Sequence, residues 1–85
     1  MDIELVDPRA RRLGERIAKR RHDMRMTQVG LAEASTLSQG AISRIEQGST
    51  TPSVATLQKL RHGLTIDDHE WLLWLDLLTG PNQAA

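Results

Sequence analysis

"TQVGLAEASTLSQGAISRIEQG", residues 27–48, consists of two short runs of helix-forming residues on either side of "STL". Leu31 and Ala32 in the first run face inward, and Ile42 and Ile45 in the second lie three apart on one helical face. Thr27 and Ser38 stand where the runs begin, with side-chain oxygens able to accept from the unpaired N–H groups of a first turn. Gly48 ends the second run in the left-handed conformation that a Cβ resists. Gly30 costs about 1 kcal/mol relative to alanine inside a helix, which suggests that another helix approaches it closely. The stretch holds no cysteine, no histidine and no nucleophile beside a base, so its role is expected to be binding and the protein is not expected to be an enzyme.

The flanking residues are also helical in pattern. The chain of 85 residues is rich in Leu, Arg, Ala and Gln, has two aromatics, and lacks alternating β-branched runs. A first helix is expected over 8–24, with Asp7 as N-cap, Pro8 in the first turn, and Leu13, Ile17 and Arg20 or Arg21 at helical spacing. After the "STTP" turn, Ser53 caps a fourth helix whose apolar stripe is Val54, Leu57, Leu60 and Leu64. Asp67 and Glu70 have the form of a capping box and open a fifth helix, "HEWLLWLDLL". These five helices make one all-α domain, residues 8–79, with 1–7 and 80–85 as flexible termini.

Formal net charge is zero, yet all eleven Arg and Lys lie between residues 8 and 64, against only Glu15, Asp23, Glu33 and Glu46 there. The last twenty-one residues hold Asp67, Asp68, Glu70 and Asp76 and no base. A basic surface separated from an acidic one can attract phosphate despite a zero sum. With no cysteine and with His22, His62 and His69 dispersed, neither a disulfide nor a metal site is expected, and no cofactor is implied. The N-terminus lacks an apolar leader core, and "WLLWL" is too short to cross a bilayer, so a cytoplasmic protein without a membrane partner is expected.

Two short helices joined by a three- or four-residue turn describe a helix-turn-helix. Residues 13–71 resemble the XRE-type, lambda-repressor-like family of DNA-binding domains. The resemblance runs through Thr27, Gln28, Leu31 and Ala32, then Ser38, Ala41, Ile42, Ser43, Ile45, Glu46 and Gly48, then Pro52, Ser53 and Leu57. It implies a compact five-helix fold that binds double-stranded DNA. The family's turn carries a glycine where Thr36 stands, so Thr36 must take a strained conformation or the turn must be built differently. The family tends to place an aliphatic residue at Arg20, and by resemblance Arg21 and Glu46 form an ion pair between the first and third helices.

The third-helix residues left outside the Ile42 and Ile45 face are Gln39, Gly40, Ser43, Arg44 and Gln47, nearly all hydrogen-bonding. Gln39 suits a bidentate pair with adenine, Arg44 suits guanine or phosphate, Ser43 suits either kind of partner, and Gly40 allows close approach. By resemblance Gln39, Gly40 and Ser43 match base-reading positions, Arg44 an auxiliary one, and Gln28 the family's phosphate-binding glutamine. Thr27, Ser38, Gln47, Ser49, Thr50 and Thr51 add hydroxyl, amide and backbone donors for phosphates around them. Arg16, Lys19, Arg20 and Arg25 are candidates for looser electrostatic contact.

In the fifth helix Trp71, Trp74, Leu75 and Leu78 are spaced to close the core, which leaves Leu72, Leu73 and Leu77. Such a surplus is expected to be covered by a two-fold homodimer through Leu73, Leu77 and part of Trp74. The expected function is a transcriptional regulator, a repressor that binds a palindromic operator as a homodimer. The alternative is an antitoxin-type module that neutralises a partner toxin and regulates its own operon.

Overall fold

The computed structural model describes residues 7–79, which form five helices: α1 (Pro8–Asp23), α2 (Gln28–Ser35), α3 (Gln39–Gln47), α4 (Val54–Leu64) and α5 (Asp68–Thr79). There is no strand among the described residues, and none of their helices is long and apolar enough to cross a membrane. The expected all-α domain is what forms. The "MDIELV" segment and the tail from residue 80, both expected to be flexible, lie outside the described residues.

Every helix begins on a capping side chain. Asp7 accepts from the Arg9 N–H at 2.9 Å, Thr27 Oγ1 from Gly30 at 2.9 Å, and Ser38 Oγ from Ala41 at 3.0 Å. Ser53 Oγ accepts from Thr56 at 3.1 Å and Asp67 from Glu70 at 2.9 Å. Each cap satisfies a donor that the helix leaves unpaired and is worth about 1 kcal/mol. Asp7 therefore belongs to α1, not to a flexible terminus. The capping box at Asp67 is one-sided, because Glu70 directs its carboxylate to Arg16 and Trp74.

The core is one cluster to which each helix contributes: Leu13 and Ile17 of α1, Leu31 and Ala32 of α2, Ile42 and Ile45 of α3, Leu57, Leu60 and Leu64 of α4, and Trp74 of α5, with Ile66 from the α4–α5 turn. Burying each large aliphatic side chain contributes about 1.5–3 kcal/mol. Trp74 is completely enclosed, and its indole N–H donates to Glu70 at 2.8 Å. This corrects the expectation that part of Trp74 lies across a dimer axis.

Close helix approach occurs at glycines other than Gly30. A Cβ on Gly14 would lie 2.2 Å from the carbonyl oxygen of Ile45, so α1 and α3 meet backbone to backbone. A Cβ on Gly63 would lie 2.2 Å from Ser35 Oγ, which brings α4 against α2. At Gly30 the nearest atom is only the Thr27 cap hydroxyl, at 3.3 Å, so the expected helix contact is absent there.

The turn between α2 and α3 resolves the question of Thr36. It adopts φ 57° and ψ 45°, left-handed geometry in a residue with a Cβ, at a cost of about 1–2 kcal/mol. The Leu37 N–H donates to the Ala32 carbonyl at 2.9 Å, closing α2, and Leu37 packs on the core. The turn keeps the geometry a glycine would favour and accepts the strain.

Candidate nucleic-acid interface

A chain of polar side chains joins the core to the outward face of α3. Arg21 of α1, itself buried, makes a two-pronged ion pair with Glu46 of α3: Nε to Oε2 at 2.6 Å and Nη2 to Oε1 at 2.9 Å. Its Nη1 also donates to the Met26 carbonyl at 2.8 Å. The two side chains are 10% and 7% exposed, which makes this a largely desolvated pair with matched geometry. The hydrogen bonds from Arg21 to Glu46 hold the guanidinium pKa above its ordinary value. Glu46 Oε1 then accepts from Gln28 Nε2 at 3.0 Å, and Gln28 Oε1 accepts from Gln39 Nε2 at 2.7 Å. The first residue of α2 is thereby tied to the first residue of α3.

Gln39, Gly40, Ser43, Arg44 and Gln47 share the side of α3 that turns away from Ile42 and Ile45. Gln39, Arg44 and Gln47 are exposed, and Gly40 and Ser43 are half-buried. Gln47 Nε2 donates to Ser43 Oγ at 3.1 Å, one helical turn away. A Cβ on Gly40 would lie 3.3 Å from Arg44 Nη1, so the guanidinium folds back over the glycine and occupies part of the space expected to be open. Short of that, this face presents amide, hydroxyl and guanidinium groups, the types that can pair with base edges.

The expected phosphate-binding residues divide into two sets. Gln28, Thr27 and Ser38 lie at the starts of α2 and α3, where helix N-termini present N–H groups to an anion. As caps, Thr27 and Ser38 use their oxygens as acceptors, leaving each hydroxyl hydrogen to donate outward. Gln47, Ser49, Thr50 and Thr51 lie at and beyond the other end of α3 and are exposed. Ser49 departs from expectation, because its hydroxyl donates to the Arg44 carbonyl at 3.2 Å and its N–H donates there at 3.1 Å. It closes α3 and keeps no hydroxyl hydrogen for a phosphate.

Most of the α1 cations proposed for loose electrostatic contact are committed elsewhere. Arg16 pairs with Glu70 of α5 through Nε at 2.9 Å and Nη2 at 2.7 Å, and Lys19 pairs with Asp23 at 2.9 Å. Arg20 donates to the Leu64 and Thr65 carbonyls at 3.1 and 3.2 Å, closing the end of α4 where an aliphatic residue would only pack. All three line a groove of about 470 Å³ with Asp23, Asp67, His69 and Glu70, and their positions lie round α1 from Gly14, which packs on α3. Arg25 remains exposed beside α2, at φ 58°.

On α5, Leu72 is 63% exposed, Leu73 and Leu75 are half-buried, and Leu77 and Leu78 pack on the core. The outward apolar face is therefore centred on Leu72 and flanked by the half-buried Leu73 and Leu75, while Trp74 lies inside. Sequence periodicity alone could not choose between the two stripes, because apolar residues surround this helix.

A helix braced by its neighbours, with exposed amide, hydroxyl and guanidinium groups on its outward side, fits the second helix of a helix-turn-helix DNA-binding domain. Residues 17–71 match the helix-turn-helix family model, and the chain belongs to this family, in its XRE-type form. Solved structures of the restriction-modification controller protein C.Esp1396I share the fold. Two single-residue mutants of it are each 28% identical to this chain, with TM-scores of 0.71 and 0.72, covering 85% of this chain and 92% and 87% of theirs. The wild-type controller is 26% identical with a TM-score of 0.73, covering 84% of this chain and 94% of its own. No curated protein matches the chain in sequence. The protein is a DNA-binding transcriptional regulator.

Proposed function

We propose that the protein is a cytoplasmic, non-enzymatic repressor that binds a palindromic operator as a homodimer. α3 enters the major groove, with Gln39, Ser43 and Arg44 on base edges and Gly40 allowing approach. Gln28, Thr27 and Ser38 hold phosphates on one side, and Gln47, Thr50 and Thr51 hold them on the other. The observation that carries this reading is the bond from Gln39 to Gln28, which orients a base-reading amide from a residue placed for phosphate. One domain carries one reading helix, and the outward Leu72 and Leu73 of α5 favour a two-fold partner that supplies the second.

The solved relatives are controller proteins, which agrees with a regulatory role. No feature of the described residues favours the toxin-neutralising alternative. Selection of bound sequences from random duplex DNA tests the proposal. An enriched inverted repeat with half-sites about one helical turn apart is expected; enrichment of a single unrepeated site would remove the homodimer, and no enrichment would remove the operator.

A further inference from the structure

The α3–α4 loop is where α3 ends, so the carbonyl end of its dipole faces whatever passes over residues 48–51. Hydroxyls on Thr50 and Thr51 cannot offset that field, and a phosphate held there needs a cation. Gly48 shows which one is in place. A Cβ on Gly48 would lie 2.7 Å from the Cα of Arg11 and 3.1 Å from its Cβ, so the first turns of α1 run directly against this loop. Thr51 confirms the juxtaposition from its other end, since it shares a small cleft with Asp7, Arg9 and Ala10. Arg11 is exposed, and its guanidinium has no hydrogen-bond or ion-pair partner among the described residues. That sets it apart from Arg16, Lys19, Arg20 and Arg21, all of which are committed to partners.

We propose that Arg11 binds a DNA backbone phosphate beside the α3–α4 loop, extending the DNA-contacting surface from the helix-turn-helix onto α1. The inference rests on the proposed placement of α3 in the major groove, which brings the backbone past this loop. Arg12, the next residue, supplies the internal comparison: it is also exposed but lines a groove with Glu15, Lys19 and Leu77, toward α5.

The test is the salt dependence of binding of the full chain to a labelled random-sequence duplex, for the natural protein, Arg11→Gln and Arg12→Gln. Each phosphate neutralised contributes a slope of about 0.9 in log K against log salt. Arg11→Gln is expected to lower the slope by about that amount per bound protomer, with an unchanged thermal midpoint, and Arg12→Gln to leave it unchanged. An unaltered slope in Arg11→Gln, or equal losses in both variants, overturns the proposal. A natural protein that binds duplex DNA with no salt dependence overturns the DNA-contacting surface as a whole, and that outcome is distinct because it appears before any variant is compared.

Discussion

Gln28 Oε1 accepts from Gln39 Nε2 at 2.7 Å while Gln28 Nε2 donates to Glu46 at 3.0 Å. One side chain thus connects the start of α2 to both ends of α3. Phosphate-binding residues ordinarily set register without carrying sequence information. In the proposed complex the phosphate-side glutamine, Gln28, also aims the base-side one, Gln39. Gln28→Ala is expected to weaken binding to all duplexes and in addition to blur the preference at the base read by Gln39. In a double-mutant cycle with Gln39→Ala on the selected operator, the two losses should couple by at least about 0.5 kcal/mol, as residues in one hydrogen-bond network do. Simple additivity in the binding titration would separate the two roles.

The Arg21–Glu46 pair fixes α3 against α1 and is almost wholly removed from water. Arg21→Ala leaves Glu46 buried with only Gln28 as a donor. Loss of about 3 kcal/mol of unfolding free energy is expected, in the range for breaking a buried pair on one side. Urea unfolding monitored by the tryptophans measures it. A loss within about 0.5 kcal/mol would mean that the pair behaves as an exposed one.

Stability should fall on acidification through Glu70. Its carboxyl pKa is lowered chiefly by the hydrogen bonds from Arg16, with burial opposing and the Trp74 indole assisting. A carboxylate whose folded pKa lies below its unfolded value stabilises the protein above the unfolded pKa and loses that contribution as pH falls through the folded one. The urea midpoint is expected to drop from about pH 5 downward, and Glu70→Gln should flatten part of that decline while lowering the midpoint at neutral pH. An acid limb of identical slope in the variant would place the titration elsewhere, with Asp7 the next group to examine because the Arg9 backbone N–H lowers its pKa too.

Outward Leu72 and Leu73 predict how the protein assembles. Leu72→Asp or Leu73→Asp places a carboxylate in the apolar centre of the proposed interface, where it must stay charged without a partner or take up a proton. Sedimentation should then show monomers that remain folded. Operator affinity should fall by more than tenfold, because a monomer engages only one half-site. Leu77→Asp is a poorer probe, since Leu77 packs on its own core and its loss confounds folding with assembly. Dimeric Leu72→Asp and Leu73→Asp proteins would move the interface away from α5.

Local signals carried the fold. Thr27, Ser38 and Ser53 announce helix starts through the chemistry of their side chains, and Ile42 and Ile45 announce a buried face through spacing alone. Long-range geometry was less legible. Gly14 is required by the α3 backbone and Gly63 by the Ser35 and Leu31 side chains of α2, which nothing in their neighbouring residues reveals, whereas Gly30 looked exceptional and touches only its own cap. Thr36 shows tertiary packing of Leu37 overriding local backbone preference. The polar outward face of α3 emerged by subtraction from the Ile42 and Ile45 stripe, but the ion pair of Arg16 with Glu70 and the bonds of Arg20 to the Leu64 and Thr65 carbonyls did not, because contacts between residues far apart in the chain leave no spacing signature. The enclosed Trp74 was obscured for a related reason: a helix apolar on nearly every side gives no preferred direction.

Sequence selection from random duplexes with the natural protein and Gln39→Ala side by side tests most directly whether α3 reads DNA. The natural protein is expected to enrich an inverted repeat. Gln39→Ala should enrich the same repeat with preference lost at one position per half-site and affinity for the natural site reduced by about 1–3 kcal/mol. Identical enriched sequences and equal affinities would contradict the assignment of α3 as the reading helix.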